Sequence, residues 1–128
     1  MPEPDAPDRL FAAAAAGRVT LLAPEIYVGE VVSTLWKRCQ LVGDLTRPEA
    51  EDGLVVLLGM LPVLVPLAPL AEQALQLALT FRRPVYDCFY LALALQEQCA
   101  LVTADRGLIR AVGAATGNVV PLEEIALG

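Results

Sequence analysis

Two aspartates in the stretch "RRPVYDCFYLALALQEQCALVTADRGL" (residues 82–108) stand where chemistry is possible. Asp87 sits at the opening of an almost wholly apolar helical run, and Asp105 follows the apolar run "ALVT". Charged side chains are seldom buried without a partner. Two carboxylates held close together repel unless a proton or a cation lies between them. Oxygen ligands of this type suit a hard divalent cation such as Mg²⁺. Each aspartate also has a plainer use. An Asp in a first helical turn is stabilised by the helix dipole and by free N–H groups, and Asp105 could cap a short helix after it. Glu30 is a third acid of interest, with Ile26, Ser33 and Lys37 on its helix face. Its plainer reading is a solvated Glu beside Lys37, while Glu25, earlier in that helix, simply offsets the N-terminal dipole. Arg82, Arg83, Arg106 and Arg110 bracket the aspartates. They could form a phosphate-positioning rim or serve only solubility.

The elements that must position these residues alternate between helix and strand. Asp8–Ala16 reads as a helix stopped by Gly17, followed by a strand "VTLL" at Val19–Leu22. Pro24 is expected at a helix start, with the helix running to about Gln40 and Gly43 beyond it. Thr46 and Glu49 are spaced as a capping box, and Pro48 falls in that helix's first turn. A strand over Pro62–Val65 and a helix over Pro69–Phe81 come next, then a helix over Val85–Gln98 and a strand over Ala100–Thr103. A short helix at Asp105–Val112, a strand in "NVVPL" and a final turn at Glu123–Leu127 close the chain. Apolar strands without alternation, separated by helices, indicate a parallel sheet covered on both faces. The expected class is therefore α/β, in three layers.

That topology brings the aspartates together. In a parallel α/β unit each helix runs back along the strands, so helix N-termini share an edge with strand C-termini. A helix of about eleven residues spans roughly 17 Å, and a strand of about five returns a similar distance. Asp87 and Asp105 then meet at the carboxyl edge of the sheet, where open α/β folds bind ligands.

Composition removes several chemistries. The 128 residues have no histidine, which excludes Ser-His-Asp hydrolysis, Cys-His proteases, His-based ribonucleases and the common zinc sites. A net charge of −6 provides no global attraction for nucleic acid, so any such contact needs a local basic cluster or bound cations. The length is that of one domain, residues 1–128, and 56% apolar content suits a compact core. Cys39, Cys88 and Cys99 form no C-x-x-C pair and lie in apolar, helix-like contexts. They fit small hydrophobes in a reducing, cytoplasmic compartment. The start "MPEPDAPDRL" is acidic and Pro-rich and carries no secretory pattern. Gly53–Ala71 is uncharged over nearly the length of a membrane helix. Pro62, Pro66 and Pro69 interrupt it, so it is expected to be a helix end, a buried strand and a helix start, with no membrane span.

The blocks "APEIYVGEVVSTLWK", "VYDCFYLALA" and "LVTADRGLI" together resemble the PIN-domain family, in particular the VapC-type toxins. The similarity covers nearly the whole chain, including helix–strand order. It implies a Mg²⁺- or Mn²⁺-dependent endoribonuclease acting on RNA, often held inactive by a cognate antitoxin protein, and a homodimer. By this resemblance Glu30, Asp87 and Asp105 take the places of acidic active-site residues, and Thr103 matches the hydroxyl residue preceding the last Asp. Ser33 stands where the family commonly has Asn after the Glu. The family also opens with a central strand ending in Asp. Here "MPEPDAPDRLF" looks like the segment that normally follows that strand, so the first strand and its acid are expected to be absent, through a misassigned start or a truncation.

Two other readings compete. A degenerate, non-catalytic PIN-like module that binds a partner protein accords with the absent first Asp. A phospho-acceptor receiver-like domain shares the fold class but needs a Lys after a late strand, whereas the only lysine, Lys37, lies in an early helix.

Overall fold

The computed structural model describes residues 6–103 and 119–121. Asp105, the expected helix at 105–112 and the expected turn at 123–127 lie outside the described residues. Helix α1 spans Ala6–Ala15, strand β1 Leu22–Pro24 and helix α2 Ile26–Lys37, which continues into a π-helical turn at Arg38–Val42. Helix α3 covers Arg47–Leu58 and strand β2 Val63–Val65. A 3₁₀ turn at Ala68–Leu70 leads into α4, Ala71–Phe81, followed by α5, Val85–Gln96. Strands β3, Leu101–Thr103, and β4, Val119–Pro121, complete the described elements. The chain is thus α/β, with parallel strands interspersed among helices.

Local chemistry explains most boundaries. Gly17, at φ 76°, takes the left-handed conformation that ends α1, and the Arg18 N–H reaches back to the Ala13 carbonyl at 2.9 Å. Gly43, at φ 78°, does the same after the π-helical turn, donating to the Arg38 carbonyl at 2.8 Å. The Arg38 side chain then pairs with Asp44 at 2.9 Å. Thr46 and Glu49 form the expected reciprocal capping box at the start of α3. The uncharged stretch from Gly53 to Ala71 divides into the end of α3, strand β2 and the 3₁₀ turn. Among the described residues, no helix is long and apolar enough to cross a membrane.

The expected strand at Val19–Leu22 is displaced toward Leu22–Pro24, and Pro24 ends β1 instead of starting α2. The hydrogen-bond ladder explains how a proline is accommodated. β1 and β2 run parallel with Leu22, Ala23 and Pro24 opposite Val63, Leu64 and Val65. The Val63 N–H donates to the Leu21 carbonyl at 2.8 Å, and the Glu25 N–H donates to the Val65 carbonyl at 2.9 Å. Alternate residues of a parallel strand address opposite edges, so Pro24 lacks only a donor that would point away from β2.

The described strands form two separate parallel pairs, β1 with β2 and β3 with β4. Helix α5 packs against both β1 and β3. Its sequence is apolar nearly all round, the pattern of a helix enclosed by protein, and Cys88, Leu91, Ala92, Leu93 and Ala94 are buried. Leu70 and Ala74 on the α4 side meet Cys88, Ala92 and Leu93 of α5, with Leu22, Val65 and Phe89 packed around them. Ala74 and Ala92 are fully buried, and their small size lets the two helices approach closely. A tight link joins these helices. Arg82 adopts a left-handed conformation at φ 53°, and the Arg83 N–H donates to the Ala78 carbonyl at 3.3 Å.

Candidate active site

Helix α5 begins at Val85 after Pro84, and Asp87 falls in its first turn. Pro84 is the capping residue and has no side-chain acceptor, so the first-turn carboxylate supplies the negative charge that the helix N-terminus favours. One turn earlier, Arg83 places a guanidinium nitrogen 3.5 Å from an Asp87 carboxylate oxygen. Both side chains are partly open, at 23% and 37% exposure, so this pair is screened by solvent. Behind Asp87, Cys88 is fully buried, and its thiol is pushed above the ordinary range by burial first and by the Asp87 charge second.

Helix α2 follows β1 after a single residue, Glu25, which places the early turns of α2 at the carboxyl end of that strand. Glu30 lies in the second turn and is exposed. Its partner is not Lys37. The Tyr90 hydroxyl of α5 donates to Glu30 Oε1, and one turn further along α2 the Thr34 hydroxyl donates to the Glu30 backbone carbonyl at 2.9 Å. Tyr90 is three residues after Asp87 and therefore shares its helix face. Burial, and then the bond to Glu30, raise the Tyr90 phenol well above its ordinary value, with Tyr27 and Asp87 adding in the same direction. The charges of Glu30 and Asp87 thus both act on the Tyr90 hydroxyl. The Tyr90–Glu30 bond thus joins α2 to α5 one turn from Asp87.

Of the residues expected from the sequence, Glu30 and Asp87 are brought to one neighbourhood. Thr103 ends β3, and Asp105 lies outside the described residues. Among the described residues, no three acidic, histidine or cysteine side chains gather closely enough to hold a metal by themselves. The donor set present is carboxylate oxygen from two helices, open to solvent, and that chemistry fits a hard divalent cation such as Mg²⁺ or Mn²⁺. Tyr90 is the residue that the sequence reading missed. The i, i+3 spacing from Asp87 was a usable signal, but nothing in the sequence linked its hydroxyl to Glu30.

One cysteine differs from its expected helical setting. Cys39 is half-buried in the π-helical turn that continues α2, whereas Cys99 is exposed because α5 has already ended at Gln96. A larger cavity of about 420 Å³ opens at the other end of β1 and β2, lined by residues including Ala14, Gly17, Leu21, Met60 and Val63. Among the described residues its lining has no titratable side chain.

A comparison with known families finds that the PIN domain model matches residues 3–114. No curated protein matches the chain. The matched span includes α2 with Glu30, α5 with Asp87, and the position of Asp105.

Proposed function

The chain belongs to the PIN-domain family, whose members are generally nucleases, and from that premise we propose a divalent-metal-dependent endoribonuclease of the VapC toxin type, built as one domain over residues 1–128. The observation that carries the proposal is the Tyr90–Glu30 hydrogen bond, which holds the acid of α2 against the helix face bearing Asp87. Glu30 and Asp87 come from separate helices, and the partly exposed Arg83 beside Asp87 leaves their carboxylate oxygens available as the start of a cation site.

Glu30, Asp87 and Asp105 would hold Mg²⁺ or Mn²⁺. When bound, such a cation supplies an activated water and neutralises charge on the phosphodiester in an in-line displacement. Arg83, beside Asp87, offers a positive group at the rim for a phosphate of the RNA backbone. In a protein of net charge −6 this local charge has to offset long-range repulsion of RNA. Thr103, which ends β3, would supply the hydroxyl that precedes the last acid.

Protein partners belong to the same proposal: a cognate antitoxin that restrains the activity, and a second copy of the chain, in the cytoplasm. Apolar surface supports a partner, since Trp36 of α2 and Val55 and Val56 of α3 are more than half exposed. The same surface favours the second reading, a non-catalytic binding module. Stoichiometric Mn²⁺ binding by calorimetry counts for the nuclease, and dimerisation with no Mn²⁺ affinity counts for the module.

Cleavage of single-stranded RNA with and without Mg²⁺ tests the activity. Metal-dependent cleavage is expected, and it should disappear in Asp87→Asn and Asp105→Asn while circular dichroism stays unchanged. Full activity in both variants would overturn the assignment.

A further inference from the structure

We propose that Tyr90 is a positioning residue of the carboxylate site, holding Glu30 in the orientation in which it meets a divalent cation together with Asp87. This rests on the nuclease reading above and names a member of the site that the acidic pattern does not contain.

Tyr90 is half-buried in α5, and with Leu22, Leu93, Ala94, Cys99 and Ala100 it lines a small cavity between β1, α5 and the approach to β3. Partial burial in α5 restricts the ring to few rotamers, and in the one adopted the hydroxyl is delivered to a single point. That point is Glu30 Oε1. Glu30 is itself exposed on a helix surface, and a long flexible carboxylate in that setting would otherwise sample several rotamers. The phenol has one proton to give, so it engages one carboxylate oxygen and leaves the second, with its lone pairs, open for a cation.

Metal-ligating carboxylates generally carry such a hydrogen bond from behind, and removing it typically lowers metal affinity or activity 10–100-fold. The alternative is that Tyr90 and Glu30 only clamp α2 to α5. The two roles separate by experiment, because a clamp changes stability and leaves metal affinity alone.

The experiment is Mn²⁺ titration by calorimetry of the 128-residue chain without RNA, on the parent, Tyr90→Phe, Glu30→Gln and the double variant. Phe keeps the ring in its cavity and removes only the hydroxyl. The expected result is parent binding, weakened on the order of tenfold or more in Tyr90→Phe, with the thermal midpoint of the metal-free protein unchanged. In the Glu30→Gln background Tyr90→Phe should have no further effect on affinity, because it acts through Glu30. Unchanged Mn²⁺ affinity in Tyr90→Phe, beside a parent that binds Mn²⁺ and an Asp87→Asn variant that does not, overturns the role of Tyr90 alone. A parent that binds no Mn²⁺ overturns the nuclease reading and this inference with it. Should Tyr90→Phe melt early, the additivity of the double variant decides: an undiminished loss of affinity on the Glu30→Gln background also overturns the proposal.

Discussion

The Tyr90 hydroxyl on α5 donates to the Glu30 carboxylate on α2, a pair 60 residues apart in the chain. This bond ties together two helices that are distant in the chain. It joins Glu30 to the same helix face as Asp87, which itself faces Arg83 at 3.5 Å.

The bond has a consequence in alkali. Folding raises the Tyr90 phenol above its unfolded value of about 10, mainly through burial and then through Glu30. A group whose folded value is raised keeps its proton longer in the native state. Its contribution is complete below about pH 10 and is lost as pH rises beyond that. The parent protein should therefore lose stability above pH 10 by up to about 1.4 kcal/mol per pH unit from this group. Urea unfolding at several alkaline pH values should show a shallower decline in Tyr90→Phe; an identical decline would remove this linkage.

Asp87→Asn should separate function from stability. The Arg83–Asp87 pair is partly exposed, and exposed pairs contribute about 0.2–1 kcal/mol, with solvent screening favouring the lower end. Loss of the acid should thus change the unfolding free energy by less than about 1 kcal/mol while removing metal-dependent RNA cleavage. Both quantities can be read from one preparation. A variant that unfolds would assign Asp87 a structural role instead.

Helix α3 offers a test away from the site. Thr46 accepts from the Glu49 N–H at 3.3 Å, and Glu49 returns the bond to the Thr46 N–H at 2.9 Å. Thr46→Ala removes the acceptor and should cost about 1 kcal/mol, within a usual range of roughly 0.5–2 kcal/mol. The urea midpoint should fall with the slope unchanged, and metal affinity should not move.

Thiol reactivity reads the packing of α5. Cys88 is fully buried, whereas Cys39 is half-buried and Cys99 exposed; the thiols of both Cys88 and Cys99 are raised, so access sets the order. Alkylation of the native protein at neutral pH should therefore reach Cys99 and Cys39 well before Cys88, as followed by mass spectrometry of peptides. Adding urea should expose Cys88 in step with unfolding. Early labelling of Cys88 would mean that α5 opens locally.

Much of the fold is legible from local chemistry. Gly17 and Gly43 end their helices because a left-handed residue satisfies the last carbonyls. Thr46 and Glu49 start α3 through bonds only three residues apart. Asp87 opens α5 as its position in the apolar run implies. Each of these interactions closes within a turn of chain, so the sequence carries both partners side by side. Pro24 is the counterexample. Its local preference is a helix start, but the ladder to β2 engages only alternate residues of β1, and this proline falls where no donor to β2 is needed.

The site divides in the same way. The sequence by itself determined which side chains could bind a hard cation: Glu30, Asp87 and Asp105 as oxygen donors in a chain without histidine. It also placed Asp87 and Tyr90 on one face of α5, since residues three apart on a helix are neighbours. Only the tertiary structure decided that Glu30 turns to Tyr90 instead of Lys37. Helical periodicity specifies which residues share a face, but not which face of another helix it will meet. That choice was made by the burial of α5 against α4 and β1, which brings Tyr90 to α2.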